Sequence, residues 1–218
     1  LVEASHPDTE ISYSTYDHKA VPVIGPVTDR KRVKAAIATT LSESAGTSLY
    51  DPIIETLAQL SKANLPRQVL IVISERAEQH GQHNLQELIR AVQASLAQVY
   101  LIGYFDPEED LAFQTSGKTV RLITGKEVDN PRYVFKRLAE ESGAECFFVK
   151  SSLELSRSIE TIADELRHQY TLAYHSSRWS ESNSYHRIQV RVKRKGLRVR
   201  ARHGFRMLEP DAAASIRV

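Results

Sequence analysis

QVLIVIS, Gln68 to Ser74, and QVYLIGY, Gln98 to Tyr104, are two unbroken apolar runs separated by a polar loop and a helical stripe. Neither run alternates apolar with polar side chains, so neither reads as a strand with one wet face. Consecutive apolar positions without alternation, Val69 to Ile73 and Val99 to Ile102, mark a strand covered on both faces, as in a parallel sheet. Between them Leu85, Leu88, Ile89, Val92 and Leu96 recur at close to the 3.6-residue period, which predicts a helix. Strand, helix, strand is a βαβ unit with a right-handed crossover.

The pattern extends in both directions. ECFFVK, Glu145 to Lys150, is a third buried strand. The helix before it has both ends spelled out: Asn130 as N-cap, Pro131 in the first turn, Val134, Phe135, Leu138 and Ala139 facing inward, and Gly143 as the stop. A long helix follows with Ile159, Ile162, Ala163 and Leu166 on its inner stripe. Toward the N-terminus, EISYSTYD, Glu10 to Asp17, alternates, and AVPVIG follows after His18 and Lys19, a hairpin with Pro22 at a sheet edge. Asp29 then caps a helix with Val33, Ala36, Ile37 and Leu41 on one stripe. In SESAGTSLYDPIIETL, Ser42 to Leu57, Ser48 and Asp51 form a capping-box-like start, with Ile53, Leu57 and Leu60 as the apolar face of a helix ending near Asn64. The stretch from Asp106 to Asp129 is less regular, with TVRLITG as a short strand.

The C-terminal part changes character. QYTLAYHS, YHRIQVRVKRK and GLRVRARHGF read as antiparallel strands, the last two joined through Lys195 and Gly196. Ile188, Val190, Val192, Leu197, Val199 and Ala201 share one face, with Arg191, Lys193, Arg198, Arg200 and Arg202 on the other. From Arg178 to Arg206 there are ten Lys and Arg against Glu181 alone, which leaves 19 against 26 elsewhere: an acidic body with a basic end. The predicted organisation is an α/β domain over 1–167, a β extension packed on it over 168–208, and a tail over 209–218. The basic face is the basis of an alternative function, binding to nucleic acid or an anionic surface. Yet alternate basic and apolar positions are also the pattern of a hairpin packed on one side and wet on the other, and no stacking aromatics interleave.

Several familiar chemistries lack their context. SGKT, Ser116 to Thr119, has Ala112 at the first glycine position of a phosphate loop, and VRLI follows where a helix belongs. His80 and His83 in HGQH flank a glycine, which predicts a loop without a third ligand. No serine sits in a nucleophile elbow. Glu108 with Glu109, and Glu140 with Glu141, are consecutive, so they point apart on a helix and read as solvated surface. Cys146 among Phe147, Phe148 and Val149 reads as an inert buried thiol. No run reaches the roughly 18 apolar residues of a membrane span. The expectation is a protein that is not an enzyme.

The order of these pieces resembles the von Willebrand factor type A domain, in particular its bacterial VWFA-related subgroup. The resemblance rests on ISYSTYDHKAVPV ahead of a helix, AGTSLYDPI where the family has Gly-Gly-Thr-Ala-Leu-Tyr-Asp-Ala-Ile, and VLIVISERAE where it has a strand ending in Ser-Asp-Gly. VYLIGY, LAEESGAECFFV, IADELRHQYTLAY and RARHGF follow the subgroup's tail. It implies a doubly wound, mainly parallel sheet with helices on both faces, plus the antiparallel β appendage, and a non-enzymatic, adhesion-type protein-interaction module. It also implies an extracytoplasmic location, with a partner meeting the sheet near Thr47, Ser48, Glu75, Arg76 and Tyr104. Many relatives hold Mg²⁺ there. On the family's pattern Thr47 and Glu75 are the vestigial metal candidates, since no Asp-x-Ser-x-Ser loop occurs, Glu75 replaces an aspartate and Arg76 a glycine. The expectation is no tightly bound cofactor, Mg²⁺ being held only if a preceding segment supplies the first metal loop. The family's first strand is central, between the strands matching Glu10 to Tyr16 and Gln68 to Ile73. The chain is therefore expected to be N-terminally incomplete, leaving an open slot or a direct pairing of those two strands.

Overall fold

The computed structural model describes residues 1–3, 5–16, 19–40, 48–63, 65–75, 78, 81–122, 124–172, 184–194, 196–197 and 199–206. Strand β3 (Val69–Ser74), β4 (Gln98–Gly103) and β7 (Cys146–Phe148) form a parallel sheet in the order β3-β4-β7. Helix α3 (Leu85–Ala94) joins β3 to β4. The longer crossover from β4 to β7 carries α4 (Pro107–Thr115), β5 (Thr119–Arg121), β6 (Glu127–Asp129) and α5 (Pro131–Ser142), and α6 (Ser152–His168) follows β7. Ahead of the sheet lie β1 (Ile11–Tyr16), β2 (Ala20–Val27), α1 (Arg30–Thr39) and α2 (Tyr50–Lys62), and β8 (Tyr185–Arg187) and β9 (Gly204–Arg206) close the described chain.

The sheet is not doubly wound, which corrects the predicted architecture. A doubly wound sheet reverses strand order at a switch point. Here both crossovers advance in the same direction, and among the described residues β3 ends the sheet. The helices nevertheless take both faces. Leu101 and Val99 pack with Leu57, Leu88, Val92, Phe135 and Leu138 on one side, and Tyr100 and Ile102 pack with Val149 and Ile162 on the other. β1 and β2 pair antiparallel with Ser14 opposite Pro22, as a separate hairpin against which α1 packs. The two strands expected to flank a slot, β1 and β3, do not pair, and among the described residues no strand borders the outer edge of β3. The Tyr16 hydroxyl reaches across to β3, donating to Ile73 O at 3.2 Å.

Caps set the element ends. Asp29 accepts from the Lys31 and Arg32 amides, Asn130 from Arg132, and Gly143 stops α5 at φ +77°. Other expectations are corrected. On α1, Val33 is buried but Ile37 is 45% exposed, because the hairpin covers one narrow stripe, and Leu41 lies outside the described residues. Leu96 falls beyond the end of α3 and is exposed. The irregular stretch is ordered: Asp106 caps α4 with Pro107 in its first turn, and the short strand extends into a β5–β6 hairpin turning at Gly125, φ +82°. The SGKT motif thus runs from a helix end into a strand, the reverse of a phosphate loop. Gln169 to Leu172 has no regular structure, with Tyr170 and Leu172 exposed, and residues 173–176 of the predicted strand lie outside the described ones. β8 and β9 pair over three residues each, and Ile188 N–H to His203 O extends them by one bond.

Candidate functional site

The C-terminal ends of β3 and β4 bring Glu75 and Tyr104 side by side, since Ser74 pairs with Gly103 and Tyr104 N–H donates to Ser74 O at 2.9 Å. Both side chains are exposed, Tyr104 to 43%. Ser48 is also near the start of α2 but is 1% exposed, its hydroxyl donating to Asp51 Oδ2 at 3.3 Å, so its side chain faces inward. Thr47 and Arg76 lie outside the described residues.

The capping of α2 differs from the Ser48–Asp51 box read in the sequence. Leu49 is the N-cap and makes no side-chain cap bond. Glu78 instead reaches over from the loop after β3: its Oε2 accepts from the Leu49 and Tyr50 amides, the latter at 2.8 Å, and its Oε1 accepts from Gly81 N–H at 2.6 Å. A carboxylate there satisfies otherwise orphaned donors and opposes the positive end of the helix dipole. Asp51 reaches the other way, accepting from Gln82 N–H at 2.8 Å and His83 N–H at 3.0 Å, with His83 Nδ1 2.7 Å from Oδ1. Partial burial works to raise the Asp51 pKa, but these donors outweigh it and hold the carboxyl below its ordinary 3.8. The loop and the helix start are therefore cross-tied by two carboxylates. His80, the other histidine of HGQH, lies outside the described residues.

A third loop joins through the Tyr50 hydroxyl, which donates to Asp129 Oδ2 at 2.9 Å. Burial first, then the Asp129 charge, raises the Tyr50 pKa far above the ordinary phenol range. Burial likewise pushes the Tyr16 hydroxyl to about 12. Both phenols thus stay neutral donors. Tyr50, Glu78, His83, Thr119, Glu127 and Asp129 line an open depression of about 410 Å³. Its polar groups serve structural bonds, Thr119 donating to Glu127 at 2.7 Å for instance. Burial also pushes the Cys146 thiol up to about 11, which keeps it protonated and unreactive.

Mg²⁺ requires six hard oxygen ligands in near-octahedral geometry. Among the described residues no group of three or more His, Cys, Asp or Glu side chains converges on one point, and Asp51 and Glu78 are committed to backbone amides. Of the two candidate ligands, Glu75 is exposed just past β3 and Thr47 lies outside the described residues.

At the opposite end of the sheet the basic residues divide. Arg200 forms ion pairs with Glu145 and Glu165, and Arg202 donates to Ser95 O at 2.7 Å and Val92 O at 3.3 Å at the C-terminus of α3. These two fasten the hairpin rather than present a free cationic face. Arg191 and Lys193 are exposed, and Arg198 lies outside the described residues. Glu141, read as solvated surface, is 2% exposed; it pairs with Arg137 and accepts from Gln93 Nε2 at 3.0 Å and the Tyr185 hydroxyl at 3.3 Å. Glu78 and Glu141 escape sequence reading because Leu49, Tyr50, Gln93 and Tyr185, which hold them in place, lie tens of residues away.

No family model matches the chain, and no curated protein matches its sequence. Similarity does appear among solved structures. Conserved hypothetical protein BatB from Bacteroides thetaiotaomicron is 14% identical, with 76% of this chain and 81% of that one covered and a TM-score of 0.51. An aerotolerance-related membrane protein from Bacteroides fragilis is 12% identical over 75% and 83%, with a TM-score of 0.47. An uncharacterized membrane-spanning protein from Vibrio fischeri is 18% identical over 71% and 74%, with a TM-score of 0.33. Within this chain no helix among the described residues is long and apolar enough to cross a membrane. The likeness to BatB supports a von Willebrand A-like fold, and nothing finer than the fold.

Proposed function

We propose that this protein is a non-enzymatic protein-interaction module of von Willebrand A type that meets its partner at the C-terminal end of the sheet. The observation that carries the reading is that Glu75 and Tyr104, the residues directly after the paired ends of β3 and β4, are both exposed, with the loop after β3 tied to the start of α2. Loops fastened to one another present a pre-ordered surface, which lowers the entropy lost on binding. An exposed tyrosine with a carboxylate beside it suits protein contact, because tyrosine offers a large apolar face and a polar tip. The contact is proposed to work without a tightly held metal, Mg²⁺ entering only if a preceding segment supplies the missing loop. An extracytoplasmic location is proposed on the subgroup resemblance alone.

Two measurements test this. A photo-crosslinking residue at position 104 should trap a discrete protein, and Glu75→Arg should abolish the product. An equal yield of the same product from a crosslinker on α6 at position 153 would overturn the proposed surface. Titration with Mg²⁺ or Mn²⁺ by calorimetry should give no heat of specific binding, and a micromolar site would overturn the metal-free reading.

A further inference from the structure

Past its fastened base, the C-terminal hairpin stands off the body. Every described residue from Arg191 to Arg200 is exposed, including the aliphatic Val192 at 47%, Leu197 at 57% and Val199 at 39%. The cations Arg191, Lys193 and Arg194 share this stretch, and no Asp or Glu occurs between Ser182 and Leu208. The β8–β9 ladder itself ends with the Ile188 N–H to His203 O bond, and Gly196 lies beyond it at φ +82°. The result is an exposed finger that carries aliphatic and cationic side chains together and no acidic ones.

We propose that this finger docks on an anionic lipid bilayer. Val192, Leu197 and Val199 enter the interfacial region, while Arg191, Lys193 and Arg194 lie among the headgroup phosphates. Charge complementarity selects an anionic surface, and the aliphatic side chains select lipid over nucleic acid. Cations alone suit any polyanion, but single-stranded nucleic acid is gripped by stacking aromatics, and none occurs between Ile188 and Arg202. Valine and leucine partition into hydrocarbon, with basic neighbours at headgroup level, as in interfacial amphipathic segments. The base gives the finger a fixed seat: Arg200 on Glu145 and Glu165, Arg202 on the end of α3, and Tyr185 on Glu141. That seat is at the other end of the sheet from Glu75 and Tyr104, so this inference stands apart from the proposed partner surface.

The test is sedimentation of the whole chain with vesicles of phosphatidylcholine alone or with about 30% phosphatidylglycerol added, the charge that basic segments sense. Binding is expected for the anionic vesicles and not the neutral ones. The triple variant R191Q/K193Q/R194Q should weaken it roughly 100-fold. V192S/L197S, at unchanged charge, should weaken it about tenfold through lost apolar insertion. Circular dichroism and the thermal midpoint should stay the same in both variants, because the substituted side chains are exposed. Equal binding to neutral vesicles, or none to either, would overturn the proposal. So would V192S/L197S binding as well as the parent, or a short DNA duplex binding as tightly as the anionic vesicles.

Discussion

β3 and β4 are spelled almost alike, VLIVIS and QVYLIG, and stand side by side in parallel register. Their surroundings differ. Val99, Tyr100, Leu101 and Ile102 are each at most 1% exposed, whereas Ile73 is 47% exposed, and in β3 the buried residues are Val72 and Ser74. β4 has a strand on each side and helices over both faces, while among the described residues β3 ends the sheet. An apolar run therefore reports that a strand can be covered twice. What covers it is decided by elements that the run itself does not encode.

The sharpest way to break this contrast is a pair of truncations on equivalent strands. Leu101→Ala removes a fully buried side chain and should cost about 2–5 kcal/mol in denaturant unfolding. Ile73→Ala, half exposed, should cost under about 1 kcal/mol. Equal costs would mean that Ile73 is covered in solution by something that the described residues do not include.

A smaller effect probes how the lower end of β4 is closed. Val99 N–H donates to Ser142 Oγ at 3.0 Å, and the next residue, Gly143, has φ +77° with the hairpin against it: a Cβ there would lie 2.4 Å from Arg202 N. Gly125 has nearly the same φ, +82°, and nothing within 4 Å. Gly125→Ala should cost about 1 kcal/mol for the left-handed backbone alone. Gly143→Ala should cost about 2–3 kcal/mol, the excess measuring displacement of the hairpin. Thermal unfolding of the two variants reads the difference directly, and equal midpoints would show that the hairpin gives way at little cost.

The contrast between β3 and β4 also marks where sequence reading stops. Local signals were legible: the caps at Asp29 and Asn130, the glycine stop at Gly143, the doubly apolar strands and the inner stripe of α6 all act within a turn or two. Glu78 on the amides of Leu49 and Tyr50, and Glu141 beneath Tyr185, depend on tertiary placement across 28 to 44 positions, which no periodicity encodes. The β5–β6 pair was half legible, because three-residue strands are too short to show alternation. Winding direction was not legible either, since a βαβ unit looks the same whether or not the next crossover reverses. At the proposed site, Glu75 and Tyr104 follow from strand ends that the sequence marks. The inward turn of Ser48 does not.

The smallest effect concerns what holds the upper end of β3, which has no strand on its outer edge among the described residues. Glu78 and Asp51 supply that restraint by tying the loop after β3 to the start of α2. Glu78→Gln keeps one acceptor oxygen but loses the charge at the helix N-terminus, and should cost about 1 kcal/mol. Amide hydrogen exchange should quicken at Leu49, Tyr50 and Gly81 and along β3, and stay unchanged at Val99 and Leu101, whose amides donate to Ser142 and Glu145 rather than to β3. Acid separates the second carboxylate. Because the Asp51 pKa is depressed in the folded state, its contribution is intact above 3.8 and is lost as pH falls through the lower folded value. Asp51→Asn should lack that part of the acid dependence, so wild type and variant should converge in stability at low pH. Unchanged exchange in β3 after Glu78→Gln would mean that the strand is held by its bonds to β4 alone, and that the order at the proposed contact surface does not depend on the loop tie.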